Sequence, residues 1–187
     1  MGAAEPLVIP RKVWTRAEVD RLSWDGLSLE LINGDLIDRM GKRPPHIYWK
    51  TVLRDWLIEH VGAPYVRTED PIDVAPEDNP TNEPEPDLSV THLSMQEMRG
   101  ANPKPENLRL VVEISDHTYS FDRTIKAALY ARAGIREYWL LDVRKVDAPR
   151  FLVHREPKDG QYQVSTHSYD EDVHVLQGYS LCLKSLM

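Results

Sequence analysis

The pattern of apolar and polar residues predicts alternating strands and helices in the second half of the chain. Residues 108–115 form an apolar run, which is typical of a strand buried on both faces of a sheet. Apolar residues then recur at helical spacing over 122–133, up to Gly134, and a second apolar strand is expected over 137–142. A strand, a helix and a strand in this order predict a crossover that joins two parallel strands.

The first half of the chain predicts a hairpin followed by a long helix. Asn33 and Gly34 are a strong hairpin signal between strands expected over 27–32 and 35–40. Pro44 or Pro45 is expected to begin a helix that runs to about His60 and stops at Gly62. The other expected elements are a capped helix over 16–22, strands within 65–75 that include 71–74, a Pro-rich acidic loop over 76–86, a strand over 87–91, a short helix near 94–99, a hairpin of 150–156 with 161–168, and strands near 173–176 and 180–183.

Together these elements predict an α/β protein with a central mixed β-sheet flanked by helices, and with additional antiparallel strands at the C-terminal end. The length of 187 residues suits one domain, which we place at residues 13–187 after a loose arm of residues 1–12.

The amino-acid composition limits the functional classes to which the protein could belong. The net charge of −7 counts against strong non-specific binding of nucleic acid, although a metal ion and a local basic rim can outweigh the average charge. No apolar stretch approaches the roughly 18 residues that a membrane span needs, so no membrane partner is expected. The single cysteine, Cys182, excludes an internal disulfide, and the sequence predicts a cytoplasmic protein.

The candidate chemistry begins with Glu113, a carboxylate inside the apolar run 108–115. A buried carboxylate is costly unless it is paired, protonated or bound to a metal. Asp87 opens another apolar strand, Glu30 lies between two leucines of the hairpin, and Lys126 lies on the helix after Glu113. These are the parts of a metal-dependent phosphodiesterase site, and oxygen ligands without thiols indicate Mg²⁺, with Mn²⁺ as a substitute.

Each of these residues also has a structural interpretation. Glu113 could be paired with a buried arginine, and Asp87 could be one acid among many in a solvated loop. Lys126 alone is better explained as a helix lysine whose aliphatic part packs at the edge of the buried stripe, which Ile125, Ala128 and Leu129 are expected to form. The seven histidines lack the spacing of a zinc site.

The segments 29–35, 86–90, 110–115 and 122–142, in this order, resemble the Uma-type restriction endonuclease family, formerly a domain of unknown function, which is assigned to the PD-(D/E)XK nuclease superfamily. The resemblance covers roughly residues 15–185 and implies a restriction-endonuclease-like core, with Asp87 and Glu113 as metal ligands. The superfamily lysine would stand at the position of Ser115. The resemblance implies that Lys126 replaces it, that Glu30 is an additional acid and that His46 is a family histidine.

These observations lead to the hypothesis of a Mg²⁺-dependent endonuclease that hydrolyses phosphodiester bonds in DNA. The expected metal ligands are Asp87, Glu113 and the main-chain carbonyl of Ile114. The expected catalytic residues are these two acids together with Glu30 and Lys126. The expected accessory residues are His46, Ser115 and Tyr130. A nucleic-acid-binding or scaffolding module with a degenerate site is the alternative, as is a metal-dependent hydrolase of a smaller phosphate ester.

A homodimer is also expected, since an enzyme that cuts both strands gains from twofold symmetry. Phe151, Val153, Tyr162 and Val164 would form its apolar face, unless the hairpin that carries them simply extends the sheet of its own subunit.

Overall fold

A computed structural model of the protein describes residues 11–22, 29–38, 41–176 and 178–187. The strands are β1 (Leu29–Ile32), β2 (Asp35–Asp38), β3 (Val66–Thr68), β4 (Leu88–Thr91), β5 (Leu108–Ser115), β6 (Glu137–Asp142), β7 (Arg150–Lys158), β8 (Gln161–His167), β9 (Val173–Val175) and β10 (Tyr179–Leu181). The helices are α1 (Arg16–Val19), α2 (Pro44–Val61), α3 (Tyr119–Phe121) and α4 (Ala127–Arg132). None of the helices within these ranges is long and apolar enough to cross a membrane.

Strands β3 to β8 form one six-stranded sheet in chain order, and β5 and β6 are its parallel pair. The remaining neighbours in this sheet are antiparallel. The predicted mixed sheet and the predicted crossover are therefore both confirmed. The hairpin β1–β2 and the pair β9–β10 are separate two-stranded sheets.

Alternation along β5 divides the core into two layers. Leu110, Val112 and Ile114 point towards α2, where they pack in a cluster with Trp49 and Trp56. The opposite face carries Val111 and Glu113, and Val111 packs in a second cluster with Tyr130 of α4. Helices therefore cover both faces of β5, which explains why its sequence is apolar almost throughout.

The helical segment after β5 departs from its predicted periodicity. It begins at Tyr119 rather than Asp122, and a π-helical turn, Asp122–Lys126, lies between α3 and α4. A π turn contains one more residue than an α turn and rotates the following side chains around the helix axis. Ile125 is consequently 39% exposed, so its predicted burial is wrong, whereas Lys126 is only 5% exposed.

Two short elements were predicted wrongly. Residues 71–74 are not a strand, because the N–H groups of Ile72 and Asp73 donate to the carbonyls of Pro84 and Pro103, and these prolines cannot continue a ladder. Residues 94–99 form turns rather than a helix. Ser94 and Glu97 cap each other there, but Met98 is the single buried residue in the segment, so no apolar stripe holds a helix in place.

Several predicted elements are present, but their ends differ from the predicted ones. The capping box of Thr15 and Glu18 is present, but α1 ends at Val19 rather than Leu22. The strands expected over 27–32 and 35–40 extend into positions 27–28 and 39–40, which lie outside the described residues, as do positions 1–10 of the expected arm.

The Pro-rich acidic segment 76–86 supports the β1–β2 hairpin. Leu31 forms an isolated bridge with Glu83, and the N–H of Gly34 at the hairpin tip donates to the carbonyl of Thr81 at 2.8 Å. The side-chain oxygen of Asn82 accepts from the N–H of Asn33 at 2.7 Å, and Asn82 is 1% exposed. The prediction of a solvated loop is therefore wrong for the half of the segment that follows Pro80.

The β7–β8 hairpin extends the sheet of its own subunit. Cross-strand pairing places Val153 opposite Ser165 and His154 opposite Val164. Phe151 and Val153 consequently lie in the core against α2, whereas Val164 lies on the opposite face and is 50% exposed. The prediction that Phe151, Val153, Tyr162 and Val164 share one apolar face is therefore wrong. The sequence alone did not give the register of the hairpin, which decides the side of the sheet on which each residue lies.

His154 on β7 makes the stability of the fold depend on pH. Burial lowers the pKa of His154 from 6.5 to about 4, although its ring contacts the carbonyl of Tyr138. Between these values the unfolded chain binds a proton that the folded chain does not. The stability present above pH 6.5 should therefore fall by up to about 3 kcal/mol as the pH drops to 4, at about 1.4 kcal/mol per pKa unit.

We expect the variant His154→Gln to lose part of this dependence, as urea denaturation between pH 7 and 4.5 would show. The exposed His92 provides a control, because His92→Gln should keep the slope of the unmodified protein. Equal slopes for His154→Gln and the unmodified protein would show that His154 does not cause the dependence.

Candidate active site

Three acids from different parts of the chain meet at the end of β5. Glu113 lies on β5 itself, and Asp87 directly precedes β4, whose antiparallel register places Leu88 beside Val112. Glu30 is carried by β1. Because β4 runs opposite to β5, the beginning of one strand lies next to the end of the other, which brings Asp87 towards Glu113.

The three acids line one cleft of about 140 Å³ together with His46, Ile114 and Lys126. The cleft is also lined by Ile37, Asp38, Gly41, Lys42, Arg43, Asp116, His117, Thr118, Phe121 and Asp122. Of the accessory residues predicted from the sequence, Ser115 and Tyr130 lie behind this lining and contact it through hydrogen bonds.

Lys126 bridges two of the acids. Its Nζ lies 2.8 Å from Oε1 of Glu113 and 2.8 Å from Oε1 of Glu30. The hydroxyl of Tyr130 donates to the same Oε1 of Glu113 at 2.8 Å, and the N–H of Glu85 donates to Oε1 of Glu30 at 2.9 Å. The π turn is what directs the Lys126 side chain inwards, so the sequence interpretation of Lys126 as a residue at the edge of the stripe is wrong.

Asp87 has a separate set of donors. Nε2 of His46 lies 3.0 Å from Oδ2 of Asp87, and the N–H of Ile114 donates to the same oxygen at 2.8 Å. Burial raises the pKa of Asp87, but His46 and the Ile114 N–H outweigh this effect and hold the pKa below its ordinary value. Asp87 is therefore a buried carboxylate that keeps its negative charge at neutral pH.

Glu113 is in a different electrostatic state. Burial raises its pKa to about 8, because the charges of Asp122, Asp87 and Glu30 add to burial and together exceed the opposing effect of Lys126. Burial alone would lower the pKa of Lys126, but Glu113 and Glu30 raise it above its ordinary value. The cleft thus holds more acidic groups than its one buried ammonium can neutralise, which is a general feature of cation-binding sites.

Asp122 is a buried acid of the cleft that the sequence interpretation missed. The hydroxyls of Ser115 and Thr118 donate to its Oδ2 at 2.8 and 2.5 Å, and it is 3% exposed. Burial raises its pKa, with Lys126 acting in the opposite direction. The spacing of four residues between Asp122 and Lys126 was the available signal, since charges at this separation on a helix are neighbours.

The cleft has a partly basic mouth. Lys42 and Arg43 line it, and Nζ of Lys42 lies 4.0 Å from Oδ1 of Asp87. Lys42 also pairs with Glu69, which holds Lys50 at 2.9 Å as well. These side chains place positive charge next to the buried acids of a protein whose average charge is negative.

The donors present fit a hard divalent cation. The described hydrogen bonds to Glu113 are made at Oε1 and those to Asp87 at Oδ2, while Nζ of Lys42 lies 4.0 Å from Oδ1 of Asp87. No group of three or more His, Cys, Asp or Glu side chains in those ranges is arranged to hold a metal ion. A set of two carboxylates is sufficient for Mg²⁺, which usually keeps several waters and binds substrate phosphate.

Comparisons with known proteins show the fold and the family of the chain. The crystal structure of a "putative nuclease belonging to DUF820" from Anabaena variabilis superimposes with a TM-score of 0.64 and 17% sequence identity. The alignment covers 92% of this chain and 96% of that chain, and it establishes the shared fold. No curated protein matches the chain significantly. Residues 16–181 match the Uma2 family, described as "Putative restriction endonuclease", and the chain therefore belongs to this family.

Proposed function

We propose that the chain is a Mg²⁺-dependent endonuclease that acts in the cytoplasm and hydrolyses phosphodiester bonds in DNA. One observation carries the proposal: Asp87 and Glu113, both buried, line one cleft beside Lys126, and the described hydrogen bonds to each carboxylate are made at one of its two oxygens. Carboxylates in a buried, acid-rich cleft are suited to a cation, and membership of the Uma2 family supports a nuclease activity.

Each residue of the cleft has a proposed role. Asp87, Glu113 and the carbonyl of Ile114 would hold Mg²⁺, which supplies Lewis acidity for phosphodiester hydrolysis. Lys126 would donate a hydrogen bond to the reacting phosphate and neutralise negative charge that develops there. Glu30 holds Lys126 in position through its contact of 2.8 Å, so its role is to orient Lys126 rather than to contact the substrate.

The size of the cleft favours a polymeric substrate. About 140 Å³ accommodates an ion and one phosphate group, whereas the sugars and bases would lie outside. Lys42 and Arg43 at the mouth would contact neighbouring phosphates, which a nucleic-acid chain provides and a small ester lacks.

The contact between Lys126 and the two glutamates also favours a second candidate function. An ammonium group that already pairs with Glu113 and Glu30 compensates charge without a metal, as a degenerate site that only binds nucleic acid would require. Cleavage of DNA in the presence of added metal would distinguish the endonuclease from the module that only binds nucleic acid.

The test is an assay of supercoiled plasmid with Mg²⁺, with Mn²⁺ and with EDTA. We expect nicked or linear DNA with either metal and none with EDTA. Retention of DNA without cleavage under all three conditions would support the binding module. Cleavage of bis(4-nitrophenyl) phosphate without cleavage of plasmid would support the hydrolase of small esters instead.

We also propose that two copies associate through β8, the outer strand of the six-stranded sheet. Its residues, Gln161–His167, contain no Asp, Glu, Lys or Arg, and uncharged edge strands pair readily with one another. A twofold axis near the centre of β8 would place Val164 opposite its own copy, and two such sites suit the two strands of a duplex.

Sedimentation equilibrium at micromolar concentration should give the mass of a dimer. Val164→Lys should give a monomer, because two lysines would face each other across the axis. Val146→Lys is a matched control, since Val146 is 54% exposed and lies outside the sheet. A monomer mass for the unmodified chain would refute the dimer.

A further inference from the structure

A second cavity lies at the opposite end of the central strands. It measures about 500 Å³, a size typical of small-molecule sites, and is lined by residues of β5, β6, β7 and β9. Arg109 is the second residue of β5 and Glu113 the sixth, so a rise of 3.3 Å per residue separates their backbones by about 13 Å. This cavity is therefore distinct from the cleft that contains Glu113.

The charges in the cavity are predominantly positive. Arg109 and Arg136 line it, and among the described residues neither has an ion-pair or hydrogen-bond partner for its side chain. His92 and His174 line it as well, and the side chains of both are exposed. Since the net charge of the protein is −7, two arginines without described partners that face one cavity are informative about its ligand.

A third arginine, Arg155, connects two strands that line the cavity. Arg155 contacts both carboxylate oxygens of the buried Glu137 at 3.2 Å, and it donates to the carbonyl of His174 at 2.6 Å. Its charge is thereby compensated, so it connects β7 to β9 rather than binding an anion. Directly after it, β7 contains a bulge in which Glu156 has a φ of 52°. Bulges of this kind turn a strand and its side chains towards a site.

Glu156 is the one acid of the cavity lining that lacks a described partner. It repels an anion but accepts hydrogen bonds from hydroxyl or amino groups. A ligand that satisfies Arg109, Arg136 and Glu156 together needs a doubly charged anionic group and an organic part with hydrogen-bond donors.

We propose that this cavity binds a phosphate monoester, with Arg109 and Arg136 on the phosphate and Glu156 on the hydroxyl or amino groups of the organic part. The guanidinium fork matches phosphate oxygens in a bidentate manner. A free nucleotide and the 5′-phosphate end of a nucleic-acid strand share this chemistry. The proposal is independent of the nuclease activity, because it uses none of the residues of the first cleft.

Isothermal titration calorimetry with AMP, in phosphate-free buffer that contains EDTA, tests the proposal. We expect saturable binding that Arg109→Gln and Arg136→Gln each weaken by about tenfold or more, since each removes a charge-assisted contact. Arg99→Gln is a matched control, because Arg99 is exposed, lies outside the cavity and has no ion-pair partner among the described residues. Glu113→Gln should leave AMP binding unchanged, which separates this site from the nuclease cleft.

The two sources of phosphate are distinguished by a 5′-phosphorylated trinucleotide and its unphosphorylated form. Tighter binding of the phosphorylated form than of AMP would identify a strand end as the ligand, and the reverse order a free nucleotide. Absence of AMP and trinucleotide binding at millimolar concentration, or binding that neither arginine variant weakens, would overturn the proposal. Arg136 is exposed, so Arg136→Gln should keep the melting temperature and remains informative if Arg109→Gln is unstable.

Discussion

Glu113→Gln and Asp87→Asn are each expected to reduce Mg²⁺-dependent DNA cleavage by at least a hundredfold. Each substitution removes one of the two carboxylates proposed to hold the cation, and loss of a group that stabilises charge in a transition state commonly costs about 10²–10³ in rate. Glutamine keeps an acceptor for the Tyr130 hydroxyl, which donates to Glu113 at 2.8 Å, so the variant should remain folded. Plasmid nicking over a range of Mg²⁺ concentrations provides the measurement.

Asp142→Asn is the matched control for this prediction. Asp142 is 5% exposed and lies at the end of β6, beside β5, but it pairs with Arg144 and does not line the cleft. It should therefore retain cleavage. Equal loss of activity in all three variants would attribute the effect to a general disturbance of buried carboxylates. Full activity of Glu113→Gln would refute the proposed metal ligand.

Lys126→Met is expected to destabilise the protein by about 3–5 kcal/mol in the absence of metal, the range found when one partner of a buried pair is removed. The substitution leaves Glu30 and Glu113, both nearly inaccessible to solvent, without the ammonium that contacts them at 2.8 Å. Urea denaturation at pH 8 in EDTA would measure the loss. Addition of Mg²⁺ should restore more stability to this variant than to the unmodified protein, because the cation would replace the missing positive charge.

A double variant distinguishes charge from packing. If repulsion between the glutamates causes the loss, Lys126→Met with Glu30→Gln should be more stable than Lys126→Met alone. If the double variant is no more stable, the loss arises from the cavity and the contacts of the lysine side chain. In that case the electrostatic account of the cleft would be wrong.

The sequence was sufficient to predict most of the sheet. The run 108–115 is β5 to the residue, and the Asn33–Gly34 turn and the crossover from β5 to β6 are both present. These elements are governed by local signals, namely turn residues and apolar periodicity, that do not depend on distant contacts. Glu30, Asp87 and Glu113 were selected as candidates because they lie in or beside apolar strands, and the structure shows all three lining one cleft.

Local signals could not predict that the side chain of Lys126 is buried. Helical periodicity assumes 3.6 residues per turn, and the π turn at Asp122–Lys126 breaks that assumption without a marker such as proline or glycine. The same shift explains why Ile125 is exposed. Likewise, the faces of the β7–β8 hairpin depend on register, which the Asp159–Gly160 turn alone did not determine.

The contacts of segment 76–86 have a consequence for the engineering of this protein. The segment holds the hairpin through Thr81, Asn82 and Glu83, and the N–H of Glu85 binds the carboxylate of Glu30 two residues before Asp87. The number of residues between Asn82 and Asp87 therefore sets how far apart Glu30 and Asp87 lie. Surface loops usually tolerate insertions, but an added residue here would shift one acid relative to the other. The Asp159–Gly160 turn differs in this respect: neither residue lines the cleft, so an insertion there would leave the spacing of the acids unchanged.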